Sequence, residues 1–204
     1  MSPDPRPASP RQPRRMVLAA LAVALLVPLA GPSGVRASED APSLVIEIAG
    51  QAQGEVVIRL RPDLAPLHVA RLTELAEAGA YDGVVFHRVI EGFMAQTGDV
   101  RHGRHGGSLR MAGTGGSDLP NLPAEFSAEP FVRGTVGMAR SADPDSANSQ
   151  FFIMFAPAPH LNGQYTVLGE VASGMDVVDR IARGAGPQGT VRAPDRMDSV
   201  RVQR

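Results

Sequence analysis

The 204-residue chain is long enough to form one domain with a substantial core plus an N-terminal extension. Its formal net charge is -1, all its basic residues are Arg, and seven Phe and two Tyr are its only aromatics, so it lacks the basic footprint of a nucleic-acid-binding protein. The absence of Cys excludes disulfides, thiolate catalysis and Cys-ligated metals.

Residues 1–37 have the features of an export signal. The pair Arg14-Arg15 precedes an apolar run, Met16 to Ala30, which is shorter than the roughly 20 residues that span a bilayer. Small residues occupy the -3 and -1 positions before Ser38. We therefore predict a signal peptide over 1–37, a linker over 38–42 and a periplasmic or secreted protein with a net charge of -5 from 15 basic and 20 acidic residues. A retained N-terminal membrane anchor is the alternative, and both general and twin-arginine export remain open.

The rest of the chain predicts many short strands and two helices. Period-two alternation, β-branched residues and turn residues predict strands at residues 43–49, 55–60, 84–90, 93–97, 134–139, 150–155, 166–171 and 197–202. Apolar residues at helical spacing predict helices over 65–79, with Val69 and Leu72 facing the sheet, and over 175–183. This pattern favours a closed or nearly closed antiparallel β architecture.

Alternation along two of these strands separates neighbouring side chains. On the strand predicted at 84–90, His87 and Arg88 are expected on opposite faces of the sheet. On the strand predicted at 150–155, Phe151 and Phe152 are likewise expected on opposite faces. One Phe can then fill the core while the other lines a surface pocket. His68, on the first helix, is expected at the surface, and residues 101–126 form a long glycine-rich loop of the kind that is usually functional or mobile.

The stretch from Phe86 to Asp99 offers the most distinctive chemistry. It combines one cation, Arg88, with the apolar Phe93 and Met94 and the amide of Gln96, which both donates and accepts hydrogen bonds. This set contains no nucleophile, so it suits binding and polarising a neutral group better than cleaving a bond.

Other chemistries find less support. No Gly-x-Ser-x-Gly motif places a nucleophilic Ser. His102 and His105 form His-x-x-His in a loop, without the helix that would fix a metal site. The glycines at 113, 115 and 116 do not open a helix, so a phosphate cradle is not expected.

Several separated motifs resemble the cyclophilin-type peptidyl-prolyl cis-trans isomerases. They are Phe86-His87-Arg88, Gly92-Phe93-Met94-Ala95-Gln96 with Gly98-Asp99, Gly137-Met138-Ala139, and Asn148-Ser149-Gln150-Phe151-Phe152-Ile153. The resemblance covers residues 43–204, and it implies a cyclophilin-like domain there. That domain is mainly β, a closed eight-stranded antiparallel β-barrel capped by two α-helices, with the active site on its outer face.

The resemblance also implies roles for individual residues. Arg88 corresponds to the catalytic arginine and Gln96, Ala139 and Gln150 to groove residues that hold the peptide backbone. The proline pocket corresponds to Phe93, Met94, Phe152 and Leu161. The chain departs from the family at His160, where many members have Trp, at Tyr165, where a pocket His is common, and at Arg140, which replaces an Asn that acts mainly through its backbone. We expect His160 and Tyr165 to wall the pocket.

The resemblance implies isomerisation of X-Pro bonds in exported, unfolded or partly folded polypeptides. It implies no metal, no cofactor, no nucleic acid and no membrane contact after signal removal, and we expect a monomer. A proline-peptide-binding chaperone or scaffold with incidental catalysis is the alternative, and a hydrolase using His160 finds no supporting spacing.

Overall fold

The computed structural model describes residues 41–204, so the predicted signal peptide and most of the predicted linker lie outside the described residues. These residues form one antiparallel sheet of nine strands with two α-helices. The elements are β1 Ser43–Ala49, β2 Gly54–Leu60, α1 Pro66–Glu77, β3 Val84–Val85, β4 Arg88–Ile90, β5 Met94–Thr97, β6 Thr135–Met138, β7 Phe151–Met154, β8 Val167–Ser173, α2 Met175–Asp179 and β9 Arg196–Gln203. Neither α1 nor α2 has the length and apolarity to cross a membrane.

The sheet order is β3-β9-β1-β2-β8-β6-β7-β5-β4, so β3 and β4 are its two edges although only two residues separate them in sequence. The prediction of one strand over 84–90 is therefore wrong. After Val85 the chain leaves β9, and from Arg88 it pairs with β5. Between them, the Phe86 N-H donates to the Asp195 carbonyl at 2.9 Å, and the His87 carbonyl accepts from Val191 N-H at 3.1 Å.

This crossing corrects the expected closed eight-stranded barrel. The structure has a nine-stranded curled sheet, a half-barrel, whose two edges are linked by the covalent chain through Phe86 and His87. The mainly β character, the antiparallel pairing and the two helices are confirmed.

The inner face of the curled sheet is filled by buried aliphatic and aromatic side chains. Val69 and Leu72 of α1 join this core, as their spacing predicts, and Val177 and Val178 of α2 join it too. The second helix is shorter than predicted and ends at Asp179. The chain leaves the helix there, and the Ala182 N-H donates to the buried Asp195 carboxylate at 2.7 Å, a contact made across 13 residues of sequence.

The loop over residues 101–126 is held at both ends by carboxylates. Asp99, which is fully buried, accepts four backbone N-H bonds of 2.7 to 3.1 Å, from Arg101, His102, Gly113 and Gly115. These bonds fold the glycine-rich segment back on itself beside β5.

At its other end, the loop places Glu125 on the N-terminus of α1. The Glu125 carboxylate accepts the N-H groups of Leu67 at 3.1 Å and His68 at 3.0 Å, which have no intrahelical partner. It also lies 2.6 Å from His68 Nδ1. The prediction of a surface His68 is wrong because this loop covers the helix start and buries the ring.

Candidate active site

Antiparallel pairing sets three key side chains in one row across the outer face of the sheet. Arg88 on β4 is opposite Gln96 on β5, and Gln96 is opposite Phe152 on β7. Side chains alternate between faces along each strand, so the residues between these rows, including Val89, Ala95 and Ile153, fill the inner core. The pleat thus separates the site from the core.

The Arg88 guanidinium is held by two hydrogen bonds. Its Nη1 donates to Gln96 Oε1 at 3.0 Å and its Nε donates to the Gln188 carbonyl at 3.1 Å. Arg88 forms no ion pair with a carboxylate of residues 41–204. Burial lowers the pKa of Arg88 from its ordinary value, and nearby Tyr165 opposes that shift. An arginine nevertheless stays protonated in proteins, so the site holds a fixed, unneutralised positive charge.

A cavity of about 290 Å³ opens beside this charge. It is lined by Arg88, Phe93, Met94, Gln96, Ala139, Arg140, Phe152, His160, Leu161 and Tyr165. Met94, Phe152 and Leu161 belong to a second buried cluster, separate from the main core, whereas Phe151 belongs to the main core. This placement confirms the prediction that one of the two phenylalanines fills the core while the other lines a surface pocket.

Aromatic contacts build the cavity walls. The Phe93 ring stacks on His160 with centroids 5.8 Å apart, and the Phe152 ring meets Tyr165 edge-on at 5.9 Å. His160 and Leu161 lie on a short 3-10 helix, Pro159–Leu161, which brings both to the rim. His160 and Tyr165 therefore stand at the positions expected of pocket walls.

A second cavity of about 270 Å³ adjoins the first, sharing Gln96, Ala139 and Arg140 with it. Gln150 lines this second cavity and not the first. Gln96 Nε2 donates to Gln150 Oε1 at 2.9 Å, and Gln150 Nε2 donates to the Gly115 carbonyl at 2.7 Å. The two cavities thus form a continuous groove.

Two side-chain contacts of the site are not predicted by the sequence. Phe131 stacks behind Phe152 at 5.8 Å, and the Arg140 guanidinium carbon lies 4.4 Å from the centre of the Tyr165 ring. Phe131 follows Pro130 outside any strand, so no periodic pattern marks it. The sequence singles out Arg140 only as a replacement of an Asn with a backbone role, whereas its guanidinium packs on a pocket wall.

The assembled residues can bind an apolar ring in a pocket and present an N-H donor beside it. The groove walls offer amides and backbone groups for an extended chain. The expected site residues thus lie together, and their roles in catalysis remain predictions.

The family model described as "Cyclophilin type peptidyl-prolyl cis-trans isomerase/CLD" matches residues 44–202. A probable peptidyl-prolyl cis-trans isomerase of Brucella suis is 54% identical over 190 residues, which cover 92% of this chain and 96% of that protein. Peptidyl-prolyl cis-trans isomerase B of Bacillus subtilis is 38% identical, over 73% of this chain and 91% of its own length.

Solved structures are similar as well. Cyclophilin AquaCyp293 from Hirschia baltica has a TM-score of 0.63 and 26% identity, covering 78% of this chain and 72% of its own. A Cryptosporidium parvum cyclophilin, solved in the presence of the dipeptide Ala-Pro, has a TM-score of 0.68 and 21% identity. It covers 79% of this chain and 99% of its own, and the likeness at that identity is one of fold.

Proposed function

The chain belongs to the cyclophilin-type peptidyl-prolyl cis-trans isomerases, and we propose that it accelerates X-Pro rotation in exported proteins during folding, with Arg88 as the catalytic residue. One observation carries the assignment of Arg88. Its guanidinium, without a carboxylate partner among residues 41–204, is fixed at the edge of a cavity that is large enough for a proline ring and has Phe93, Met94, Phe152 and Leu161 in its walls.

The physical basis is the partial double bond of the peptide. Its rotation has a barrier of about 18–20 kcal/mol because the nitrogen shares its lone pair with the carbonyl. In the twisted transition state that lone pair is localised on the prolyl nitrogen. An Arg88 N-H that donates to this nitrogen stabilises the twisted state more than the planar one, which lowers the barrier. No bond is broken in this process.

The remaining residues bind the substrate. Phe93, Met94, Phe152 and Leu161 hold the proline ring, and His160 and Tyr165 close the sides of the pocket. Gln96, Ala139 and Gln150 contact the peptide backbone along the groove. The crystallisation of the Cryptosporidium cyclophilin with Ala-Pro is in keeping with such a substrate. We propose that the protein acts as a monomer on unfolded or partly folded polypeptides.

Export of the protein rests on residues 1–37. Their basic start, apolar run and small residues before Ser38 support a cleaved signal and a periplasmic or secreted enzyme. N-terminal sequencing of the protein recovered from outside the cytoplasm should begin at Ser38. A start well before Ser38 would favour the retained membrane anchor.

The decisive experiment replaces Arg88. Arg88→Ala should lower kcat for a proline tetrapeptide by about 100- to 1000-fold, the usual effect of removing one preorganised donor. Arg59→Ala is the matched control, because Arg59 is an exposed arginine on β2, paired with Glu170.

Both variants should keep the wild-type circular dichroism spectrum, and the control should keep wild-type kcat. Unchanged turnover in Arg88→Ala would refute the mechanism. If Arg88→Ala lost turnover yet still assisted exported clients as well as wild type, binding alone would be the protein's contribution.

A further inference from the structure

Arg140 lies where the two cavities of the groove meet. It lines both the proline cavity and the adjoining cavity. Its guanidinium covers the Tyr165 ring at 4.4 Å, and its Nη2 donates to the Gln164 carbonyl at 2.9 Å. Its Nη1 donates to the Ser141 carbonyl at 2.9 Å. These contacts fix the cation at the border between the cavities, directly above a pocket wall.

Carbonyl partners leave the charge of Arg140 in place. Most arginines in residues 41–204 pair with a carboxylate, but Arg140 has none within 4.0 Å. The two carboxylates of its own loop are engaged elsewhere. Asp143 accepts the Asp145 N-H at 3.0 Å, and Asp145 accepts the Ala124 N-H at 2.8 Å.

The groove itself contains no compensating acid. No Asp or Glu lines either cavity, whereas Arg88 and Arg140 both do. The walls of the second cavity add neutral hydrogen-bonding side chains, among them Thr114, Ser141 and Asn148. Residues 38–204 contain 15 Arg and 20 acidic residues, so the charge of the groove is opposite in sign to the net charge of this part of the chain.

We infer that Arg140 is a specificity-determining residue that makes this enzyme favour proline peptides with a carboxylate at one of the two residues before the proline or at the residue after it. The inference rests on the proposed function. A peptide whose proline fills the first cavity runs past Arg140 into the second, where an acidic side chain meets an unpaired cation and neutral donors. A basic side chain there meets only repulsion, and like charges side by side are a recognised basis of discrimination.

The test measures kcat/KM for matched proline tetrapeptides. In each set of peptides a single position is varied among Glu, Gln and Lys, and the other residues are kept constant. The varied position is one of the two residues before proline or the residue after it. The wild-type enzyme should favour Glu over Gln by about two- to fivefold at low salt, the range of a partly exposed ion pair. The preference should shrink in 0.5 M NaCl, because the screening length falls well below the roughly 10 Å of 0.1 M salt.

Variants assign the preference to Arg140. The Glu-to-Gln ratio of kcat/KM should fall to about one in Arg140→Gln and persist in Arg140→Lys. In Arg140→Glu the preference should invert, so that the Lys peptide becomes a better substrate than the Glu peptide. Because each ratio is measured within one variant, a general loss of activity does not affect it. Arg201→Gln on β9 makes the same change of charge away from the groove and should keep the wild-type ratio.

The outcomes separate this inference from the proposed function. A wild-type Glu-to-Gln ratio of one at every position overturns the inference while Arg88-dependent turnover stands. A preference that survives in Arg140→Gln also overturns it, since the charge would then act through Arg88. Absence of turnover of every peptide by the wild-type enzyme would overturn the proposed function as well.

Discussion

A chain of hydrogen bonds links Arg88 to the loop over residues 101–126, and each side chain in it donates to the next group. Gln96 Oε1 accepts from Arg88, so the Gln96 amide must donate to Gln150 Oε1, and the Gln150 amide then donates to the Gly115 carbonyl. This chain leaves each amide only one consistent orientation. Gln96 therefore positions the guanidinium as well as lining the groove.

Gln96→Ala should consequently lower kcat more than it changes KM. A hydrogen bond to a charged group is worth about 1.5–3 kcal/mol, so its loss should lower kcat by roughly 10- to 150-fold. Gln96→Glu should be more damaging, because a carboxylate 3 Å from the guanidinium would neutralise its charge. Steady-state kinetics with a proline tetrapeptide measure both effects.

Gln203→Ala, an exposed change on β9, serves as the control and should match wild type. A Gln96→Ala enzyme with wild-type kcat and a raised KM would show that Gln96 only binds substrate.

Individual site residues differ in how far the sequence predicts them. Arg88, Phe93, Met94 and Gln96 lie within ten residues and carry the family motif, so they can be read directly. Phe131 reaches the pocket only because its N-H bonds to Asn162 Oδ1 at 2.8 Å and holds its loop beside β7, which no local pattern encodes.

Strand pairing imposes a steric demand at Gly137 on β6. Gly137 is opposite Phe152, and a Cβ added to it would lie 2.5 Å from Phe152 Cζ and 2.6 Å from Phe131 Cε1. Only a glycine lets these two rings stack against the strand. The aromatic wall of the first cavity, the proposed proline pocket, thus depends on a residue of the neighbouring strand that has no side chain.

Gly137→Ala should push the two rings toward the pocket. Overpacking of this kind costs about 1–3 kcal/mol of unfolding free energy, and the narrowed cavity should raise KM for proline peptides. Urea unfolding and steady-state kinetics report the two effects.

Gly107→Ala is the control, because the nearest atom to its added Cβ, the Arg104 carbonyl oxygen, is at 3.4 Å. Gly107→Ala should change stability by no more than about 0.5 kcal/mol. Equal stability and equal KM in the two variants would show that Phe131 and Phe152 can move aside freely.

Elements are predicted well where their pattern is local and poorly where distant contacts decide. The alternation at 43–49 and the helical spacing from 65 hold in the structure. The prediction of one strand over 84–90 is wrong because its middle residues form backbone hydrogen bonds with Asp195 and Val191, about a hundred residues later. The sequence of 84–90 alone does not indicate these long-range hydrogen bonds.

The curled sheet buries His87, and this burial should make the stability of the whole molecule depend on pH. The crossing from β3 to β4 turns Arg88 outward and buries His87, which is 7% exposed. Burial lowers the pKa of His87 below its ordinary value, and neighbouring Arg88 lowers it further. Asp99 and the Val85 carbonyl favour the protonated ring but do not outweigh burial.

Stability should therefore fall as the pH drops below about 6.5, the ordinary pKa of histidine. In that range the unfolded chain binds a proton at His87 that the folded protein does not. The unfolding free energy consequently decreases by up to about 1.4 kcal/mol per pH unit until the lower folded-state pKa is reached. Above pH 6.5 this contribution is complete and constant. Urea unfolding between pH 5 and 8 measures the slope.

His87→Leu should remove this contribution and flatten the slope, whatever its effect on absolute stability. His105→Leu, at an exposed loop position, should keep the wild-type slope. The comparison depends only on the change of unfolding free energy with pH, so a cavity or a clash created by the leucine does not affect it. If His87→Leu and wild type lost stability equally between pH 6.5 and 5, groups other than His87 would account for the acid sensitivity.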